Sequence, residues 1–198
     1  MTKVIADAIA RPPSTVTSYY AVLRKGGLIS TTGRGKGAQH LSALDVARIL
    51  IVMLSADALQ EGEAITQLVG ALERERSYEG GDASVDLRFE HALAGLIDFK
   101  AKEMRSLHPA NFSPLGDLRS GAIEIRVTAT DLKAEVIIDG LSTWFSARPY
   151  LHFPMIDPRN WQQLPMKERL IHRAAIEGMS VTRSIDQLVL YKVASAMP

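Results

Sequence analysis

Residues 2–41 read TKVIADAIARPPSTVTSYYAVLRKGGLISTTGRGKGAQHL. In Thr2–Ala10, Ile5 and Ile9 stand four apart and share one helix face, with Val4 beside them. Ala6 and Ala10 are small, as a close helix crossing and a tight turn require. Arg11-Pro12-Pro13 ends this helix, because proline lacks an N–H and disfavours a helical residue before it. Ser14 is placed to cap a second helix, Ser14–Lys25, through its hydroxyl. There Val16, Tyr19, Tyr20 and Leu23 recur at i, i+3, i+4 and i+7, one inward stripe. Ser14, Thr17, Ser18 and Ala21 put short side chains on the opposite face. Gly26-Gly27 stops the helix. Leu28–Thr31 then reads as a strand, Thr32–Gly37 as a glycine-rich tip and Ala38–Leu41 as the returning strand.

Charge gives this stretch a partner. Residues 1–40 hold Lys3, Arg11, Arg24, Lys25, Arg34 and Lys36 against Asp7 alone, a net +5; the whole chain is +1, so the remainder carries −4. A basic segment on an otherwise acidic chain is the electrostatic footprint of a nucleic-acid contact. Thr17 and Ser18 are expected to read base edges, since short side chains let a helix backbone come close. Ser14 and Thr15 are expected on phosphate at the helix N-terminus. Arg34 and Lys36 sit between Gly33, Gly35 and Gly37, where a phosphate would lie. Arg11, Arg24, Lys25 and Gln39 complete the expected set, and double-stranded DNA is the expected partner.

The spacing resembles a known signature. Ala6, Ala10 at the turn, Val16 six residues on and Tyr19 three after that are similar to a helix-turn-helix. The order helix, turn, helix, wing, helix resembles the mercury-resistance regulator (MerR-like) group. TVTSYYAVLRKGGLI and SALDVARILIVML carry most of the likeness, which covers about a quarter of the chain. It departs in the double proline, where the group usually has glycine, and in lacking a long coiled-coil helix and a cysteine metal-sensing loop. The resemblance implies a winged helix-turn-helix over residues 1–56 that enters the major groove.

Composition narrows the rest. A chain of 198 residues holds one large or two small domains, and 46% hydrophobic residues suffice for a core. No apolar run reaches the roughly 18–20 residues that span a bilayer; Ala47–Leu54 is short and broken by Arg48. The N-terminus has no signal-peptide pattern. With zero cysteines there are no disulfides, thiolate metal sites or cysteine nucleophiles. A soluble cytoplasmic protein is the simplest reading. His40, His91, His108, His152 and His172 are scattered without metal-ligand spacing, and Gly33–Gly37 lacks the Gly-Lys-Ser/Thr ending of a phosphate loop. No serine sits in a nucleophile elbow. Glu61 with Glu63 and Glu73 with Glu75 read as surface charge. The expectation is therefore no enzyme, no cofactor and no metal.

Beyond the wing, Ser42 with Asp45 forms a capping box for a helix over Ala43–Ala56. Further helices are expected at Glu63–Arg76 and Val85–Leu107, with loops at Ser77–Ser84 and His108–Gly121. The period then changes to two: Ala122–Thr130 and Ala134–Asp139 form a hairpin, to which Leu141–Ala147 adds a strand. Tyr150, His152, Phe153 and Trp161 are read as covering that sheet rather than lining a ligand pocket. Two helices close the chain, Met166–Glu177 and Val181–Ala196, the second capped by Ser180. Ala174, Gly178 and Ile185 have a faint second helix-turn-helix spacing, one residue too long and not basic. The fold class is mainly α with a small β component (α+β). Residues 1–56 are expected to read DNA, 57–107 to form a helical linker or oligomerisation region and 108–198 an α+β dimerisation or partner-binding region. Two functions fit: a transcription regulator, paired as a homodimer or higher even oligomer and touching the transcription machinery, or a DNA-binding assembly factor such as a phage packaging recognition subunit.

Overall fold

The computed structural model describes residues 1–30, 41–75, 87–105, 122–147, 163–176 and 181–197. Among them the chain runs α1 (Thr2–Ala8), α2 (Pro13–Lys25), α3 (Ala43–Ser55), a 3-10 turn Leu59–Glu61, α4 (Gly62–Gly70), β1 (Glu73–Arg74), α5 (Phe89–Arg105), β2 (Ile123–Thr128), β3 (Lys133–Ile138), β4 (Leu141–Ser146), α6 (Met166–Ile176), β5 (Thr182–Asp186) and α7 (Gln187–Ser195). The fold is α+β.

The capping box at Ser42 forms as expected: its hydroxyl accepts the Asp45 N–H at 3.1 Å, and its own N–H donates to the Asp45 carboxylate at 2.9 Å. From Asp45 to Ser55 every α3 residue except Arg48 is buried. A helix apolar on all sides must be covered on all sides. Here α2, α4, α5, β2 and β5 all pack on α3. The sheet has the order β1-β4-β3-β2-β5, with every neighbouring pair antiparallel. Alternation buries Ile123, Ile125 and Val127 of β2 against the helices, with Val136 of β3, Phe145 of β4 and Ile185 of β5. The Phe145 ring lies 5.4 Å from that of Phe89 on α5. One hydrophobic core runs from Ile5 to Val193, so the segments 1–56, 57–107 and 108–198 share it. No described helix is long and apolar enough to cross a membrane.

Three elements differ from the sequence reading. The helix expected to run to Arg76 stops at Gly70, where a Cβ would sit 3.2 Å from Glu90 Oε2. Glu73-Arg74 then pairs with Ser146-Phe145 as an edge strand. Glu73 also bridges Arg88, so the helix expected from Val85 begins only at Phe89. The last helix does not begin at Val181 or use Ser180 as its cap. Thr182–Asp186 is a strand paired along β2, and the Asp186 carboxylate accepts the Val189 N–H at 3.1 Å to start α7. A strand at 182–186 also removes the faint second helix-turn-helix. The expected loops at Ser77–Ser84 and His108–Gly121, and Tyr150, His152, Phe153 and Trp161, lie outside the described residues.

Candidate nucleic-acid interface

The turn between α1 and α2 is tight. Ala10 takes a positive φ of 51°, and the Arg11 N–H reaches back to the Ala6 carbonyl at 2.9 Å. Ala6 itself is fully buried. Pro12 is the N-cap of α2 and Pro13 its first residue, where a missing N–H costs nothing. Ser14 is therefore one residue inside the helix and makes no cap bond, contrary to the expectation. Val16, Tyr19 and Leu23 are buried as expected. Tyr20 is only half-buried, because it sits at the border of the stripe and packs on the core from outside.

The outward face is left to solvent. Ser14, Thr17, Ser18 and Ala21 are exposed, and Thr15 is half-buried. Arg11 is exposed at the entry to α2, and Arg24 and Lys25 are exposed in its last turn. Seven of the expected residues thus stand on one helix and the turn before it. Arg34, Lys36 and Gln39, with the whole wing tip, lie outside the described residues.

The strand expected from Leu28 does not form over Leu28–Ser30. Gly27 takes φ 74°, the Leu28 N–H closes on the Leu23 carbonyl at 2.9 Å, and Ile29 plugs the core. Leu28–Ser30 instead runs as a connection pinned to α3. The Arg48 guanidinium donates to the Leu28 carbonyl at 2.6 Å and to Glu90 on α5 at 2.8 Å. Asp45, only 3% exposed, takes both N–H and O–H of Ser30, at 3.1 and 2.7 Å. It also takes both N–H and O–H of Ser42, at 2.9 and 2.8 Å. The two serine hydroxyls share the same carboxylate oxygen, so they stand within two hydrogen-bond lengths of each other. Burial alone would raise the Asp45 carboxyl, but these hydrogen bonds outweigh it and hold the group below its usual range.

A third hold acts on α2 from behind. The buried Tyr19 ring lies over Gly62, where a Cβ would meet it at 3.0 Å. Burial raises the Tyr19 hydroxyl above its usual value, helped by Glu61 and Asp57 and opposed by Arg183 and Arg11. It therefore stays protonated at neutral pH. Gly26 makes a similar close approach to Glu63. The sequence reading gave Asp45 its cap but not its hold on Ser30, and it missed Arg48 and Gly62. A glycine opening a helix was the one available signal for Gly62; nothing local links Ser30 to a residue fifteen positions on.

Among the described residues no cluster of three His, Asp or Glu is arranged to hold a metal. No protein-family model, no curated protein and no solved structure matches the chain.

Proposed function

We propose that the chain is a sequence-specific DNA-binding regulator of transcription that lays α2 in the major groove. The observation that carries this reading is the division of α2: Val16, Tyr19 and Leu23 inward, Ser14, Thr17, Ser18 and Ala21 outward, with cations at both ends. Large inward side chains fix the helix, and small outward ones let its backbone approach base edges in a groove about 12 Å wide. Arg11 at one end and Arg24-Lys25 at the other are spaced for the flanking phosphate backbones. Ser30 and Ser42 meet at Asp45, and Arg34, Lys36 and Gln39 lie in the sequence between them. Two copies, paired through residues after 57, would present two readers to a two-fold site.

Selection of duplexes from a random library, followed by titration of the enriched sequence, tests the reading. The expected result is an affinity for the enriched site at least about 1,000-fold above random duplex, with two chains per site. Equal binding to every duplex, or none, contradicts it.

A further inference from the structure

A continuous chain of hydrogen bonds leads from the end of α2 to α5. The Leu28 N–H donates to the Leu23 carbonyl at 2.9 Å, which ties Leu28 to the last turns of α2. The Leu28 carbonyl accepts from Arg48 Nη1 of α3 at 2.6 Å, and Arg48 Nε donates to Glu90 Oε2 of α5 at 2.8 Å. One guanidinium thus joins two elements through a planar fork whose donors point in fixed directions. The Arg48 and Glu90 side chains are only 21% and 13% exposed, and α3 is otherwise buried from Asp45 to Ser55. A charge so placed needs a counter-charge, and Glu90 supplies it. Glu90 is itself confined: a Cβ on Gly70 would sit 3.2 Å from Oε2, and the His91 imidazole stands 3.8 Å from Oε1.

We propose that Glu90, acting through Arg48, is a positioning residue for DNA binding that sets where Arg24 and Lys25 stand at the end of α2. Both cations are exposed in the last turn of the helix, four and three residues before Leu28. The last turn is where a helix frays, because its carbonyls lack partners within the helix. Here Leu28 closes that turn with its N–H and is held from outside with its carbonyl, so the turn is fixed to α3 and, by the ion pair, to α5. Phosphate contacts gain only from cations that are already in place. A carboxylate on α5, outside the reader, thereby acts on DNA affinity. This role rests on the DNA-binding reading; the tie from α2 to α5 does not.

The test titrates the full chain with enriched and with random duplex at several salt concentrations, beside a thermal melt. Glu90→Ala should weaken both duplexes alike, by about three- to tenfold at fixed salt, and flatten the salt dependence by up to about two phosphates' worth. Glu90→Gln keeps an oxygen acceptor for Arg48 Nε and should keep most of the slope. Arg48→Lys retains the charge without the fork, so it should behave as Glu90→Ala, and it decides the matter if Glu90→Ala melts below the assay temperature. In an Arg24→Ala, Lys25→Ala background, Glu90→Ala should flatten the salt dependence no further, although it still lowers the melt. A purely structural loss would shrink the folded fraction and leave the slope alone. A folded Glu90→Ala with the wild-type slope therefore overturns the role, as does an equal effect on binding once Arg24 and Lys25 are gone. A wild type that binds no duplex overturns the regulator reading itself, which is a different result from a wild type that binds and a Glu90→Ala that binds equally well.

Discussion

Replacing Asp45 tests how Ser30 and Ser42 are held to α3. The carboxylate accepts four hydrogen bonds, from the N–H and O–H of Ser30 and of Ser42. A hydrogen bond to a charged group contributes roughly 1.5–3 kcal/mol net. The four share one carboxylate, and both serines are solvent-exposed, so water replaces part of what is lost. Counting the two backbone N–H bonds near the low end, with roughly 0.3–1 kcal/mol for a negative charge in the first turn of α3, Asp45→Ala should cost about 3–4 kcal/mol. For a chain of this size that is a fall in Tm of roughly 6–16 °C. Three of the four donors converge on Oδ2. Asn with its carbonyl there keeps those three and fails only the Ser30 N–H, so Asp45→Asn should cost about half as much. Urea unfolding at pH 7 measures both. The folded carboxyl lies below its ordinary value of 3.8, so its contribution is present above that pH and is lost as pH falls through the folded value. The gap between wild type and Asp45→Asn should therefore narrow below about pH 4. An Asp45→Ala variant within about 0.5 kcal/mol of wild type, or a gap that widens in acid, would refute the reasoning.

Ala10 holds a left-handed φ of 51° that glycine adopts without penalty, so Ala10→Gly should raise stability by up to about 1 kcal/mol in thermal melts; destabilisation would show the turn is not strained there. Gly62→Ala should do the opposite, losing about 1–2 kcal/mol despite the better helix former, because its Cβ would press on Tyr19 at 3.0 Å and Val52 at 3.3 Å; an unchanged melt would mean that ring yields freely. Replacing Arg34 and Lys36 together with Ala should weaken binding to all duplexes alike and flatten the salt dependence by up to about two phosphates' worth, whereas an altered preferred sequence at unchanged slope would place them on bases.

What could be read in advance was local. The stripe Val16, Tyr19, Leu23 follows from helix period alone, and the Ser42–Asp45 cap from a spacing of three. The β2-β3-β4 meander follows from alternation within neighbouring segments. What escaped was set by distant partners. β5 has one apolar residue, Ile185, so it displays no alternation, and its pairing to β2 spans more than fifty positions, so Val181–Ala196 read as one helix. Glu73-Arg74 is a strand only because β4 lies beside it. At the interface, the outward residues of α2 were legible as the complement of the buried stripe. The holds that orient them, Asp45 on Ser30, Arg48 on Leu28 and Tyr19 over Gly62, join segments with no shared pattern.

The central claim is that the outward face of α2 reads bases. Thr17 and Ser18 are exposed and absent from the core, so Thr17→Ala, Ser18→Ala should melt with the wild type. The decisive measurement is the affinity of this double variant for the enriched duplex and for random duplex, made beside its melt. The account predicts a loss of roughly 1–3 kcal/mol on the enriched duplex alone, with random binding retained. A folded double variant that binds the enriched duplex as tightly as the wild type would contradict it, and α2 would not be the reader.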